Sequence, residues 1–513
     1  MSAVSDLLLK PTALFDTPVG TGIDWERSEA ELEAIFRQHP DLFRPMIEPV
    51  PARTSPYAAE LAHVKRFGER WRADRSFREA LPVDPAAAVK HFGLEADPEE
   101  LRALWDMEYG QAQPADWRPP LAVQRYRLFV REKLLHREKL RTVECEPADP
   151  RHRVWRQRQI NRSFGHLGPR AHDGIVHAPF AIELSLGCSV GCWFCGVSAD
   201  RKKSDFLYTP DNARLWRRVL EALRRPLGAS TTTGFCYWAT DPLDNPDYEK
   251  LCTDMADIGG RFPQTTTAQP QKDVERTRAL LRLSEDRGCT INRFSVLTLK
   301  QFDQVMEAFT AEELLHCEIV AQNAEASHIQ GNAGRARGAP LLKRRAQEHG
   351  LTGDGWQQVP GTIACVSGWL INMVEQRLRL ITPCPSSGRW PDGYWVLDDR
   401  RFRDAEEFED LLESMTARHM TTALRASDPA RFRPDLAVTC GDDAIRAAGY
   451  GATTSVTGVP HLRELGEALA ARALTVGELA IEHEDRHGWP AERTMHTLNQ
   501  IFDAGVLDEE PRG

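Results

Sequence analysis

Long apolar runs are missing from this 513-residue sequence, and no stretch is long enough to cross a bilayer. No early segment joins a basic start, an apolar core and a small-residue cleavage site, so the chain is expected in the cytoplasm, apart from membranes. Positive charge is also in deficit. With 65 Lys and Arg against 75 Asp and Glu, the formal net charge is -10 and the pI is near 5.9, which argues against a general nucleic-acid or membrane-surface binder. Cysteine is scarce, 11 residues in all, and in a reducing compartment such thiols ligate metal rather than pair as disulfides. The length allows about three domains and more than one core.

Three of the eleven cysteines gather in one place. Gly187 to Gly196 reads Gly-Cys188-Ser-Val-Gly-Cys192-Trp-Phe-Cys195-Gly, a CxxxCxxC spacing that chance would produce on the order of 0.005 times in a chain of this composition. Three thiolates so spaced on a tight loop can hold three irons of a cubic iron-sulfur cluster, because iron takes soft sulfur ligands. The fourth iron keeps an open position beside Trp193 and Phe194, where a small molecule with an amine and a carboxylate can chelate. A structural zinc site with a fourth ligand from elsewhere, and three unrelated buried thiols, are the competing readings.

Texture changes along the chain. Residues 1–110 read as helical: Leu61, Val64, Phe67, Gly68 and Trp71 recur at helical spacing, and Asp84-Pro85 and Asp97-Pro98 each offer an N-cap followed by proline. Residues 111–178 form an Arg-rich connection. Its Arg151, Arg153, Arg156, Arg158 and Arg162 read as a solvated face, or else as the wall of a groove for an acidic peptide.

From 179 to 345, strands alternate with helices, the signature of an α/β fold with a parallel sheet. Strands are expected at Phe180 to Leu186, Gly234 to Ala239, Thr265 to Ala268, Ile291 to Val296 and Glu318 to Gln322, with helices opened by Thr209-Pro210 and Asn245-Pro246. This is the order of a partial TIM barrel, with the cysteine loop at the C-terminal end of its first strand. Residues 346–430 contain a hairpin about Glu375-Gln376, with Cys365 before it and Cys384 after it. These two cysteines read as ligands of an auxiliary cluster, as a hydrogen-atom donor, or as buried thiols. Residues 431–513 give short strands followed by helices, with Leu462, Leu465, Leu469, Leu474 and Leu479 on the apolar side, the outline of a winged-helix-like α+β unit.

The CxxxCxxC loop, with an aromatic before its last cysteine, resembles the cluster loop of the radical S-adenosylmethionine (SAM) superfamily. That resemblance implies a 4Fe-4S cluster on Cys188, Cys192 and Cys195, with SAM chelating the open iron. It also places the SAM amino group at Ala239-Thr240-Asp241-Pro242-Leu243, where the family usually has Gly-Gly-Glu-Pro-Leu. Both glycines are replaced here, and Asp241 is the acid that remains. On the fourth strand Asn292, Arg293 and Ser295 stand where the family places groups for the SAM carboxylate or ribose, Arg293 and Ser295 on a shared face, with Gln269, Gln322 and Asn323 as lesser candidates.

Four longer stretches resemble the radical SAM peptide epimerases that mature proteusin-type ribosomal peptides: Arg153 to Arg162, Tyr237 to Tyr248, Ala333 to Gly338 and Ile363 to Pro383. The resemblance implies abstraction of a backbone Cα hydrogen from a precursor peptide and its replacement by a cysteine thiol, Cys384 first and Cys365 second, giving a D-residue. It also implies a flavodoxin or ferredoxin as electron donor, and leader binding by the C-terminal unit as an added strand. Phe77 to Trp105 is itself similar to peptide leader helices, beside a reading as ordinary helical packing. The alternatives are another radical SAM peptide modification, such as a thioether or carbon-carbon crosslink made with an auxiliary cluster, and an iron-sulfur peptide-binding protein without turnover.

Overall fold

Ser55, through its side chain, and Pro56, through its fixed φ, open one of the chain's long helices. In the computed structural model, residues 25–47, 55–114, 116–168, 172, 174–327, 329–348 and 361–511 are described; part of the helical region expected at the N-terminus, residues 1–24 and 48–54, lies outside them. Helices α1 (Trp25–Gln38), α2 (Pro56–Ala73), α3 (Arg75–Ala80), α4 (Pro85–His91) and α5 (Leu121–Lys139) form this region. Asp74 caps α3 and Asp84 caps α4. Asp97 instead accepts from the Glu99 amide in a turn, and helix resumes only at Arg102. Phe77, Leu81, Val89 and Leu104 bury themselves with Leu61 and Phe67 of α2 and Phe129 of α5, so the leader-like stretch spends its apolar face on this core.

Helix α6 (Pro150–Leu167), capped by Asp149, carries the arginine cluster. The expectation of a solvated face or a peptide groove fails for three of its members, because Arg156, Arg158 and Arg162 are all buried. Arg156 donates to the carbonyls of Arg141, Val176 and His177. Arg158 meets Glu509 and lies over the Phe502 ring. Arg162 donates to the Pro383 carbonyl at 2.6 Å and stacks on Trp395. Carbonyls and rings from distant segments solvate these guanidinium groups where water would.

Four histidines share this interior. The Ser163 hydroxyl meets His172 Nδ1 and His177 Nε2, while His177 Nδ1 meets Ser367 Oγ and His152 Nε2 faces the Ser367 carbonyl. Burial lowers His152 to about 4, His166 to about 3 and His172 to about 4, and holds His177 well below its ordinary value. The fold accepts only the neutral rings. Their contribution is therefore complete above the unfolded value near 6.5 and is lost as pH falls through the window from 6.5 to about 4, at about 1 kcal/mol per ring per pH unit. Thermal melts should show the midpoint dropping between pH 7.5 and 5.5; a flat midpoint would contradict this.

Strand β1 (Ala178–Glu183) is buried along its whole length, as a strand covered on both faces requires. A two-residue pair, β2 (Ser185–Leu186) and β3 (Ser204–Asp205), then closes the base of the cysteine loop. Helix α7 (Pro210–Leu227), capped by Thr209, follows. Of the strand expected at Gly234 to Ala239, only Phe235 pairs, in parallel with Ala181.

Asn245 does not open the next helix; its side-chain amide donates to the Leu184 and Phe206 carbonyls, and α8 (Tyr248–Gly259) starts three residues on. The remaining elements are β4 (Thr266–Thr267), α9 (Val274–Asp286), β5 (Asn292–Val296), α10 (Leu299–Ala308), β6 (Cys317–Ala321) and α11 (Pro340–Glu348). β4, β5 and β6 pair in parallel. β4 is short because the Asn292 side chain takes the Thr265 amide.

The hairpin is present as β7 (Val366–Asn372) and β8 (Arg377–Pro383), extended by β9 (Tyr394–Arg401), which sequence reading missed. β7 pairs in parallel with β1, giving the order β1-β7-β8-β9. The whole is a mixed α/β structure whose strands do not close a ring. Trp216, Leu223 and Met255 of α7 and α8 pack with Ile182, Trp369 and Ile371 in its largest core, each such side chain contributing about 1.5–3 kcal/mol.

After α12 (Ala405–His419), a three-stranded antiparallel sheet of β10 (Ala437–Cys440), β11 (Ala444–Ala448) and β12 (Thr453–Thr457) is followed by α13 (Leu462–Ala471), α14 (Val476–His487) and α15 (Ala491–Asp503). Leu462, Leu465, Leu469, Leu479 and Leu498 form its own core. Among the described residues, no helix is long and apolar enough to cross a membrane.

Candidate functional site

The loop from Gly187 to Lys203 is built to fix sulfur atoms. Its base is closed by the Cys188 amide donating to Asp200 O (2.9 Å) and the Lys202 amide donating to Cys188 O (3.2 Å). Gly187 sits at φ +79°, where a Cβ would lie 2.4 Å from the Arg201 carbonyl, so only glycine fits. Main-chain amides then point at sulfur: Val190 and Gly191 at Cys188, and Ala199 at Cys195 Sγ, 3.3 Å away. Such donors favour the thiolate. Burial works against it, and with repulsion from Cys188 and Cys195 it pushes the Cys192 thiol up to about 12, while Cys188 rises to about 11. A cationic centre among the sulfurs would reverse that balance.

The donor set fits a cluster better than a single ion. Among the described residues, these three sulfurs do not form a group whose ligand atoms all lie within 4.8 Å of one another. A mononuclear zinc site, with sulfur at about 2.3 Å from the metal, would draw them closer than that.

A segment more than a hundred residues downstream clamps the loop. The Arg335 amide donates to Cys195 O, and its guanidinium donates to Cys192 O and Ala199 O. Gly334 makes this approach possible: at φ +56°, a Cβ there would lie 2.3 Å from Cys195 O. Gly334→Ala should therefore cost about 2–4 kcal/mol, from left-handed strain and the backbone clash, read as a lower melting temperature. An unchanged melting temperature would contradict the clamp.

Asp244 holds the other side. Its carboxylate accepts from the Ser189 amide (2.8 Å), the Ser189 hydroxyl and the Gln269 amide group, while Lys202 Nζ donates to its carbonyl. Asp241, by contrast, is turned to its own neighbourhood. Its carboxylate accepts from the Leu243 amide, the Thr267 hydroxyl and the Ala268 amide, and burial raises its pKa against those bonds. Thr240 beside it is buried. Trp193 and Phe194 meet edge to face at 5.4 Å and pack toward Leu342 and Ala346.

Arg293 and Ser295 share one face of β5, opposite the buried Asn292, Phe294 and Val296. Arg293 lines a cavity of about 330 Å³ together with Tyr237, Gln264, Cys289, Glu318 and Cys365. Lys133 and Glu318 pair within it at 2.7 Å, and Lys133 and Lys65 hold the Glu318 carboxyl well below the usual range against its burial. Lys133→Ala should leave that carboxylate without its nearest cation and cost about 1 kcal/mol for a partly exposed pair, read as a lowered melting temperature; an unchanged value would contradict the pairing.

Cys365 shares an apolar layer with Val197 of the cysteine loop, Tyr237, Trp238 and Tyr394. Burial pushes its thiol up to about 11, with Arg293 acting in the opposite direction. Cys384 is outside both the layer and the cavity lining. Its amide donates to Gly393 O, and burial, opposed by Arg162, pushes its thiol up to about 12. Both thiols stay protonated at neutral pH. Gln269 belongs to the Asp244 network, and Asn323 is spent on the Ala73 carbonyl and Glu325. Gln322 donates its main-chain amide to Val296 O.

Sequence reasoning missed Asp244, Glu183 and Arg335. Glu183, which ends β1, accepts from the Ala239 amide and the Asn372 side chain, tying the turn to β7. The nearness of Asp244 to the cysteine loop had no local signal, since Ser189 is 55 positions away.

No family model matches the sequence. The chain is 38% identical over 466 residues to an uncharacterized protein of Sinorhizobium fredii, y4wI, spanning 89% of each. Among solved structures, the crystal structure of BtrN in complex with AdoMet and 2-DOIA aligns over 28% of this chain and 55% of that one, at 16% identity and a TM-score of 0.22, a likeness too slight to argue from.

Proposed function

We propose that this chain, which belongs to the family of the Sinorhizobium fredii protein y4wI, is a radical SAM enzyme that inverts residues of a ribosomally made peptide. The observation that carries the reading is the cysteine loop: three sulfurs, main-chain amides aimed at two of them, and clamps from Asp244 and Arg335. Cys188, Cys192 and Cys195 would hold a 4Fe-4S cluster. When bound, that cluster and SAM supply a 5′-deoxyadenosyl radical by one-electron reduction. The chain's own residues do the rest.

Phe194 and Trp193 would flank the open iron. Thr240 and Asp241 belong to the turn that would meet the SAM amino group, and the three donors on the Asp241 carboxylate hold that turn rigid. Arg293 and Ser295 would serve the SAM carboxylate or ribose. The strands β1 and β4 to β6 would stand where a partial barrel places its strands, with the hairpin strands β7 to β9 joined to β1, and the sheet of β10 to β12 with α13 to α15 would act as a domain of its own. The sheet of β10 to β12 offers an edge for a leader peptide. A flavodoxin or ferredoxin supplies electrons, and the setting is the cytoplasm.

The peptide must place one Cα beside a protonated thiol, so that the hydrogen lost from one face is replaced on the other; an electron from the external donor and a proton from solvent then restore the thiol. The shared layer of Cys365 with Val197 favours Cys365 as that donor over Cys384. Coexpression with the precursor in heavy water should add about one deuterium per inverted residue, with unlabelled mass unchanged. Absence of both label and D-residues would remove the epimerase. Anaerobically reconstituted protein should carry about four irons per chain, whereas about eight would favour a crosslinking enzyme with an auxiliary cluster.

A further inference from the structure

Remote from the cysteine loop, the C-terminal unit carries a second set of metal-binding side chains. His461, Glu464 and His487 each present a ligand atom, and these atoms all lie within 4.8 Å of one another. His461 stands at the N-terminal boundary of α13, Glu464 lies in its first turn, and His487 is the last residue of α14. The three therefore join the start of one helix to the end of the next. His461 and His487 stack at 4.4 Å between ring centroids, and His483, one turn before His487, meets it at 4.9 Å.

The ordinary alternative is a histidine cluster that merely packs. Two features go against it. His483 is 4% exposed, its Nδ1 is held by Thr494 Oγ1 at 3.0 Å, and its ring also meets the His461 main chain. An outer-sphere partner on one ring nitrogen is the usual arrangement of a metal-binding imidazole. His461 also sits at φ +57°, a left-handed conformation uncommon outside glycine, and makes no side-chain cap to α13. The strain is held with no capping bond to offset it.

We propose that His461, Glu464 and His487 form a site for a divalent transition metal of the zinc class, with His483 as a fourth ligand or a supporting imidazole. Two or three imidazoles and one carboxylate are a borderline donor set, suited to zinc, nickel or cobalt rather than to calcium or magnesium. The metal ties α13 to α14. This inference is independent of the cysteine loop.

The test uses the full-length holoprotein, whose cysteine loop is occupied by its cluster, stripped with EDTA, re-equilibrated with Zn²⁺ and desalted. About one zinc per chain is expected, with only nitrogen and oxygen neighbours in zinc X-ray absorption. The paired variant His461→Asn and His487→Gln should lose that zinc, with affinity at least 100-fold weaker and iron content unchanged. Asn tolerates the left-handed backbone at 461, so the fold is expected to survive, as circular dichroism can check. Glu464→Gln, which keeps both imidazoles, should weaken zinc about tenfold. Substoichiometric zinc in the unaltered protein, sulfur ligation, or full retention of zinc by the paired variant would each overturn the site.

Discussion

Cys188→Ala, Cys192→Ala or Cys195→Ala is expected to bring SAM cleavage down to the level of iron-free protein, a loss of at least about 10³-fold, since radical chemistry on SAM needs the bound cofactor. Each sulfur is a separate support, and removing one leaves an iron without its ligand. Iron content should fall from about four per chain to below about one, read by metal analysis after anaerobic reconstitution. The loop itself should persist, because the Asp200, Asp244 and Arg335 contacts that shape it use main chain or other side chains. Melting temperature before reconstitution should therefore change little. Retained iron and turnover in any single variant would show that the triplet is not the ligand set.

The second large effect separates the two later cysteines. Cys365→Ala should leave production of 5′-deoxyadenosine within a few fold of normal while inversion of the peptide falls at least about 100-fold, because Cys365 is the one of the two candidate donors that shares a layer with Val197. Cys384→Ala should change both by less than about fivefold, with a stability cost of about 1 kcal/mol for a small buried side chain. Deuterium incorporation distinguishes the outcomes. Loss of label only in the Cys384 variant would make that residue the donor. The resemblance ranks Cys384 first, whereas of these two cysteines it is Cys365 that lines the cavity with Arg293.

Much of this was local and therefore legible. The CxxxCxxC spacing, the Thr209-Pro210 and Asp84-Pro85 caps, the hairpin about Glu375-Gln376 and the strand at Asn292 to Val296 depend on residues close in sequence. Asn245-Pro246 misled because the Asn245 side chain found carbonyls of Leu184 and Phe206 and left the helix to start later. The arginines of α6 misled for a related reason: a basic run normally stays in water, and acceptors near His177, in the hairpin and in the C-terminal segment make their burial tolerable. Contacts such as Arg335 with Cys192, 143 positions apart, and Lys133 with Glu318, 185 apart, have no spacing to read. Gly334 was quoted within a resembling stretch, but its reason, the closeness of the Cys195 carbonyl, is visible only in three dimensions.

The most direct test of the central claim is electron paramagnetic resonance of the anaerobically reconstituted, dithionite-reduced protein, recorded before and after SAM is added. The account predicts the signal of one reduced 4Fe-4S cluster whose shape changes with SAM, as the open iron gains a ligand. A protein without such a signal, or a cluster signal indifferent to saturating SAM, would contradict it.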